Sequence, residues 1–470
     1  MATTLVWFRN DLRVEDNSAL WNAAQKGSVV GCFLLSPRQW RAHDMAGCRV
    51  DFILRTLREL KKSLNQLGIP LAVQAADSFD EAPNAVVELA NQWQCSQVFW
   101  NDEYPLDERR RDDACESLLE SAGLSVRRFQ DALIAPPGTV TRNDGGPFKV
   151  FTPFKKVWLQ LLFDSEVEEL PAPSKQPPVK GEQGTVPDKL DGFESSVPAK
   201  LWPAGEKEAY KRLQKFVERS IEEYDTARDI PAEPGTSMLS PYLAVGAISA
   251  RQCLRACLEA NRGELYSGNR GIQTWLSELV WREFYQHVVV AFPHVCRNQP
   301  FKLETDSLPW RSNEVDFQRW CEGKTGVPLV DAGMRQLRET GWMHNRVRMV
   351  VAMFLSKNLL LDWRLGERFF MQHLIDGDFA ANNGGWQWSA STGTDAVPYF
   401  RIFNPFTQGA RFDPEGEYIH RYVPELRGVE PRVLHNPDKL QKSRPEQYPA
   451  IMVDIGASRE RALAAFKGGK

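Results

Sequence analysis

Through the first 130 residues, short apolar runs alternate with helical periodicity. LVWF (5–8), VVGCFLL (29–35), PLAV (70–73) and QVFW (97–100) read as buried strands. Segments 48–67 and 107–122 between them read as amphipathic helices. That alternation predicts a parallel α/β sheet of the Rossmann-like kind. Residues 164–205 are rich in Pro, Glu, Lys and Ser and poor in aromatics, so they predict a connector laid over a surface. From about residue 206 the strand signal stops. Helical segments are predicted near 207–224, 249–260, 272–291, 328–339, 343–360 and 364–375. The pattern therefore divides the chain into an α/β domain (1–130), a long linker (131–205) and an all-α domain (206–470), with no internal repeat and no separate domain in the Pro- and Gly-rich tail after 423.

One stretch fits neither period. Residues 376–406 combine Asp376 and Asp378, paired asparagines (Asn382, Asn383), a double glycine and two tryptophans, Trp386 and Trp388. A connection of this length is ordinarily functional or disordered, and this one is too aromatic for disorder. It reads as the wall of a pocket for a planar ligand.

Composition narrows the picture. A chain of 470 residues exceeds one compact core. A net charge of −3 advertises no nucleic-acid partner, so any DNA-binding surface must be a local patch. The eight cysteines are scattered; the nearest pair, Cys253 and Cys257, is not a CxxC, so free thiols are expected and no metal site. No GxGxxG follows the first strand, which disfavours a dinucleotide in the usual Rossmann position and weakens a dehydrogenase reading. No apolar run reaches membrane-spanning or signal-peptide character, so a cytoplasmic protein is expected. Monomer is the default because no oligomer interface is visible in the sequence.

Spacing singles out two helices. On 272–291, Trp275, Glu278 and Arg282 share a face and Trp281 lies three residues from Glu278. This is either an i,i+4 ion pair flanked by core tryptophans, or a carboxyl and an indole facing a base pair of unusual shape. On 342–357, Asn345, Arg348 and Met349 share a face; a capping Asn and a core Met are the bland alternative.

Eight blocks together carry a resemblance: LVWFRNDLRVEDN, PRQWRAHDM, FKVFTPFKKVW, PAEPGTSMLSPYLAVGAIS, WLSELVWREFYQH, GKTGVPLVDAGMRQLRETGWMHNRVRM, LLLDWRLGERFF and the stretch beginning DGDFAANNGGWQW. They run from residue 5 to about 427, nearly the whole chain. The chain resembles the DNA photolyase/cryptochrome family, most of all the bacterial class-one cyclobutane pyrimidine dimer enzymes. That resemblance implies an all-α FAD-binding domain, with FAD active in its reduced anionic form. Tyr224, Thr236, Ser237, Met238, Leu239, Ser240, Trp275, Glu278, Arg282, Asn345, Arg348, Asp376, Asp378 and Asn382 match FAD-binding positions. Asn382 matches the residue facing flavin N5, which is Asn in photolyases, Asp in plant cryptochromes and Cys in animal cryptochromes. Arg348 and Asp376 match an ion pair beside the isoalloxazine. Trp386, Trp363 and Trp310 match an electron-transfer chain from the surface to the flavin.

Positions facing DNA and lesion are matched by Arg228, Glu278, Trp281, Arg282, Tyr285, Asn345, Arg346, Met349, Trp388 and Arg401. Enzymes for six-four photoproducts carry histidines where this chain has Asn345 and Met349. DASH-type members usually have Gln for Met349 and Tyr for Trp388. Both departures favour cyclobutane dimers as substrate. His43, Asp107, Glu108, Cys296 and Arg297 match the antenna site of folate-type enzymes, which bind 5,10-methenyltetrahydrofolate. Asp107 replaces an Asn and Arg297 a Lys, so a deazaflavin or an empty site stays open as an alternative. The implied activity is light-dependent dimer repair, with damaged DNA as partner and residence at the nucleoid when bound to it. The leading rival is a cryptochrome-type receptor without repair; a dark flavoprotein is more distant.

Overall fold

The computed structural model describes residues 2–165 and 167–468. The chain forms two compact units. One comprises residues 1–221, 237–293 and 375–378; the other comprises 222–236, 294–374 and 379–470.

The first unit holds a five-stranded sheet: β1 (Ala2–Phe8), β2 (Gly27–Leu35), β3 (Leu71–Ala75), β4 (Gln97–Asn101) and β5 (Ser125–Phe129). All pairings are parallel, in the order β3-β2-β1-β4-β5. Three of the apolar runs are its central strands β2, β1 and β4, buried as inner parallel strands are, and the fourth is the edge strand β3, buried only in its first two residues. β5, SVRRF, escapes the sequence pattern because an edge strand with two arginines has no apolar run to read. Helices Gly47–Gln66 and Leu106–Ser121 fall where periodicity places them.

The order reverses between β1 and β4, where open α/β sheets bind ligands. Here a buried polar network fills the carboxyl ends of those strands. The Arg9 guanidinium lies 4.5 Å over the Trp7 ring, pairs with Asp112 at 3.2 Å and donates to the Asn101 carbonyl. Asn101 Nδ2 donates to Asp11 Oδ2 at 2.6 Å.

The linker holds the helix Phe151–Phe163, and after it, among the described residues of 164–205, the short 3₁₀ turn Ala199–Leu201 is the one regular element. It is fastened to the sheet by Gln176, whose side chain both accepts from Val29 N and donates to Val29 O, each at 2.8 Å. At its far end Glu206 opens helix Glu206–Arg219 and accepts from Val14 N at 3.0 Å and Glu15 N at 2.8 Å. Burial pushes this carboxyl up from about 4.5 to about 7, against the lowering effect of the two N–H groups. A folded-state pKa above the unfolded one means that the folded state binds the extra proton. Stability from this group is complete below pH 4.5 and is lost as pH rises through 7. Urea unfolding of Glu206→Gln at pH 5, 6 and 7 should show a stability slope reduced by up to about 1.4 kcal/mol per pH unit. An unchanged slope would remove Glu206 as its source.

The second unit is helical. Helices Pro328–Thr340, Asn345–Met353, Trp363–Met371 and Phe379–Ala390 surround a core that includes Trp320, Leu337, Val351, Trp363, Phe370 and Trp386. Asp331, fully buried, accepts from Thr325 N, Thr325 Oγ1, Gly326 N and Tyr448 Oη, which ties the tail to this core. Two elements differ from expectation. The segment 343–360 is not one helix: after Met353 it widens into a π-helical turn, Phe354–Asn358. The supposed irregular stretch 376–406 contains the helix Phe379–Ala390. Its buried residues (Ala380, Asn383, Trp386, Gln387, Ser389, Ala390) lie on one half of the helix, but three of the six are polar, so no apolar stripe marks it.

All eight cysteines are unbridged, and all but Cys296 are buried. Burial pushes the thiols of Cys48, Cys95, Cys115, Cys253 and Cys321 up to about 12. Among the described residues no helix is long and apolar enough to cross a membrane.

Candidate functional site

Helix Arg270–Ala291 carries the largest share of candidate residues in the first unit. Asn269 caps it by accepting from Ile272 N at 3.1 Å. Its rotation is fixed from the buried side. Glu283, fully buried, accepts from Ala135 N at 3.0 Å, Trp158 Nε1 at 2.6 Å and Ile134 N. His287 Nε2 donates to Ala135 O at 2.8 Å, and burial holds that imidazole below its usual pKa. Trp275 is buried against Phe216, with ring centroids 5.1 Å apart. Glu278, Trp281, Arg282 and Tyr285 occupy the less buried positions. Trp281 lies flat on Phe151 at 3.6 Å with 6° between planes, and Tyr285 is 5.7 Å away. Arg282 donates to Ala132 O at 2.9 Å. Lys155 bonds Ser277 Oγ at 2.6 Å; burial lowers its pKa and the Glu278 charge opposes that.

The same helix steadies the acids of residues 375–378. Gln286 Nε2 donates to Asp378 Oδ2 at 3.1 Å, and Arg49 donates to the Gly377 carbonyl. Burial lowers the Arg49 pKa, and Asp378 is the foremost charge raising it. Asp376 is buried. In the loop 237–240, Met238 takes φ +50, and Ser240 starts the short helix Ser240–Ala244 after the buried Leu239.

In the second unit, Tyr224 is buried beneath the Arg228 guanidinium, 5.4 Å from its ring, and Thr236 is half-buried. The cap of helix Asn345–Met353 is His344, whose Nδ1 accepts from Arg346 N at 3.2 Å; the bland reading of Asn345 as that cap is corrected, and Asn345 is the exposed first residue. Burial, offset by Asp229, lowers the His344 pKa to about 4, so the ring is a neutral acceptor. Arg346 pairs with Asp229 at 2.7 Å and lies over Phe412; Met349 Sδ is 3.8 Å from its Nη1. Arg348 Nε donates to Met343 O at 2.7 Å.

Asn382 Nδ2 donates to Glu367 O at 2.9 Å, which orients the amide with its oxygen as the remaining acceptor. Trp386 and Trp363 are buried, Trp388 and Trp310 half-buried, and Arg401 exposed. Trp386 packs edge-to-face on Phe370 at 5.0 Å and Trp320 at 6.0 Å. Trp310 meets Phe466 edge-to-face at 6.1 Å. Sequence reasoning missed Phe151, Phe370 and Trp320 as partners of these rings. Only FKVFTPFKKVW and LLLDWRLGERFF gave a signal, and FQRWC around Trp320 gave none.

Among the antenna candidates, His43 Nε2 is 3.4 Å from Asp107 Oδ2 and its Nδ1 3.6 Å from Glu108 Oε1. Burial raises the Glu108 carboxyl and the His43 charge lowers it. Cys296 and Arg297 lie in the 3₁₀ turn Pro293–Arg297.

The fold is a parallel α/β sheet followed by a helical region, and the sites are rich in indoles and amides. Residues 4–175 match the DNA photolyase family and residues 275–468 match the FAD-binding domain of DNA photolyase. The chain belongs to the photolyase/cryptochrome family. It is 45% identical to a Vibrio cholerae protein named deoxyribodipyrimidine photo-lyase, over 99% of each chain. The structure of a class III photolyase from Agrobacterium tumefaciens superposes with TM-score 0.88 at 35% identity, covering 100% of this chain and 98% of that one. A cryptochrome from Synechocystis gives 0.87 at 27% identity, covering 99% of each. Fold alone does not separate the two activities.

The protein carries the FAD-binding domain of its family, and its donor set suits FAD. Asn382 offers a neutral amide oxygen, Arg348 a cation, Asp376 and Asp378 two acids, Ser237 and Ser240 hydroxyls, and Trp275 an aromatic face.

Proposed function

We propose that this chain is a deoxyribodipyrimidine photo-lyase that uses light to split cyclobutane pyrimidine dimers in DNA. The observation that carries the reading is identity of 45% along the whole chain to an enzyme of that name. The local supports are Asn382 and the set Glu278, Trp281, Asn345, Met349 and Trp388.

Bound FAD, in its reduced form, supplies the photoexcited electron that opens the dimer and is then returned, without net redox change. The chain's residues position and stabilise. Glu278 hydrogen-bonds a pyrimidine C4 carbonyl where charge builds. Trp281 and Trp388 pack against an extruded dinucleotide, whose poor stacking and pairing lower the cost of extrusion. Asn382 would offer its amide oxygen to the flavin, and Arg348, Asp376 and Asp378 would hold the isoalloxazine. Tyr224, Thr236, Ser237, Met238, Leu239, Ser240 and Trp275 hold the rest of the dinucleotide. Arg228, Arg282, Arg346 and Arg401 contact phosphates, Arg346 after exchanging Asp229 for DNA. Trp386, Trp363 and Trp310 relay a hole outward. His43, Asp107, Glu108, Cys296 and Arg297 hold methenyltetrahydrofolate, Glu108 through its raised carboxyl. The protein acts as a cytoplasmic monomer, at the nucleoid when bound to damage, and residues 1–130, 131–205 and 206–470 serve as antenna domain, linker and flavin domain.

The test is to illuminate chemically reduced protein with a thymine-dimer oligonucleotide and quantify restored thymines against a dark control. Light-dependent restoration is expected. Its absence, with FAD bound and light-driven flavin reduction intact, would move the reading to a cryptochrome-type receptor.

Trp281→Ala should weaken lesion binding by 1–3 kcal/mol, roughly five- to a hundredfold, with FAD content unchanged. Wild-type affinity in that variant would exclude Trp281 from the lesion surface.

A further inference from the structure

Lys357 lies in the π-helical turn Phe354–Asn358, a widening of helical geometry that often marks functional positions. Its side chain is fully buried. Among the described residues no carboxylate pairs with it; the ammonium donates to Ser391 Oγ at 2.8 Å and to the Arg401 carbonyl at 3.1 Å. A buried ammonium with only neutral acceptors is costly, and an apolar chain of equal length would fill the space more cheaply. Burial, helped by the nearby Lys302 charge, lowers its pKa to about 7, in keeping with that cost.

The two acceptors bracket one loop. Ser391 directly follows helix Phe379–Ala390, on which Trp388 sits, and it holds φ +67, a left-handed conformation that a serine rarely adopts. The loop's first turn is closed by Thr392 N and Gly393 N on Gln387 O, both at 3.0 Å, and by Lys302 N on Thr392 O at 2.9 Å. From there the chain runs without helix or strand to Phe400, 60% exposed, and the exposed Arg401. One ammonium therefore fastens both ends of a segment that starts beside Trp388 and finishes at Arg401.

We propose that Lys357 is a positioning residue for lesion binding: by tying Ser391 to the Arg401 carbonyl it presents Trp388 and Arg401 to damaged DNA in one fixed arrangement. This rests on the placement of Trp388 and Arg401 on the lesion-facing surface.

The test compares Lys357→Met, which keeps length without the ammonium, Ser391→Ala, which removes one acceptor, and Arg401→Ala. Each is measured for dark affinity toward a thymine-dimer duplex, FAD content, light-driven repair at saturating DNA, and amide hydrogen exchange over residues 392–401. Lys357→Met should bind the lesion about tenfold more weakly, the scale of a lost charge-assisted hydrogen bond. Ser391→Ala should shift it the same way by less. Exchange over the loop should quicken, while FAD content and saturating repair stay at wild-type level. A purely structural lysine would instead lower FAD content and saturating repair together, which would overturn the inference. So would unchanged lesion affinity in the folded Lys357→Met protein, or in Ser391→Ala if Lys357→Met does not fold, provided that Arg401→Ala binds weakly. If Arg401→Ala itself binds normally, the lesion-facing placement of Arg401 falls, and the inference with it.

Discussion

Trp386→Phe is expected to leave oxidised FAD unreduced under illumination, while chemically pre-reduced protein repairs dimers at nearly the wild-type rate. The indole of Trp386 is buried beside Phe370 and Trp320, and the helix that begins with Trp363 packs against it through Gly366. A benzene ring fits the space but is far harder to oxidise, so the proposed relay would stop at its first member. The cavity left by a smaller ring costs about 1–3 kcal/mol of stability, which a helical unit with this core tolerates. Following flavin absorbance under blue light, with and without prior reduction, separates the two roles. Undiminished photoreduction would mean that the hole leaves by another path, for which Trp320 at 6.0 Å is the adjacent ring.

Gly366→Ala should be among the most damaging single-methyl changes in the second unit. A Cβ there would lie 2.1 Å from Trp386 Cη2, 2.5 Å from Trp386 Cζ3 and 2.6 Å from Leu355 Cδ2. Alanine is the better helix former by about 1 kcal/mol, so propensity alone predicts stabilisation. Overpacking of about 1–3 kcal/mol or more opposes it and wins, because the neighbouring indole is enclosed and can shift only by straining its own neighbours. Urea denaturation should show a net loss of about 1–2 kcal/mol, with slower photoreduction as the displaced ring changes its distances. A stabilised variant would show that the ring has room to move.

What the sequence made legible follows from how each signal arises. β1, β2 and β4 announced themselves because inner strands are continuous apolar runs, and the edge strand β3 did so through its short run PLAV, whereas β5 at the other edge, with Arg127 and Arg128, carried none. Helix Phe379–Ala390 was invisible because its buried half mixes Asn383, Gln387 and Ser389 with apolar residues, leaving the period without contrast. The site was legible through motif resemblance, and spacing alone left Glu278, Trp281 and Asn345 between functional and bland readings. The structure adds what no motif encodes: the stack of Phe151 on Trp281, the cap supplied by His344 and the loop fastened by Lys357. Each joins residues far apart in sequence or depends on a side-chain direction that only packing sets.

A protein that works under light meets the oxidants that excited pigments make in air. Seven of its eight thiols are sealed in the interior, and burial keeps those sulfurs protonated and hence poor nucleophiles. Cys296 alone is only half-buried, in the 3₁₀ turn Pro293–Arg297. The native chain thus needs no cysteine-free background for site-selective chemistry: it comes with one addressable handle, and a dye or spin label placed there would report on the turn Pro293–Arg297.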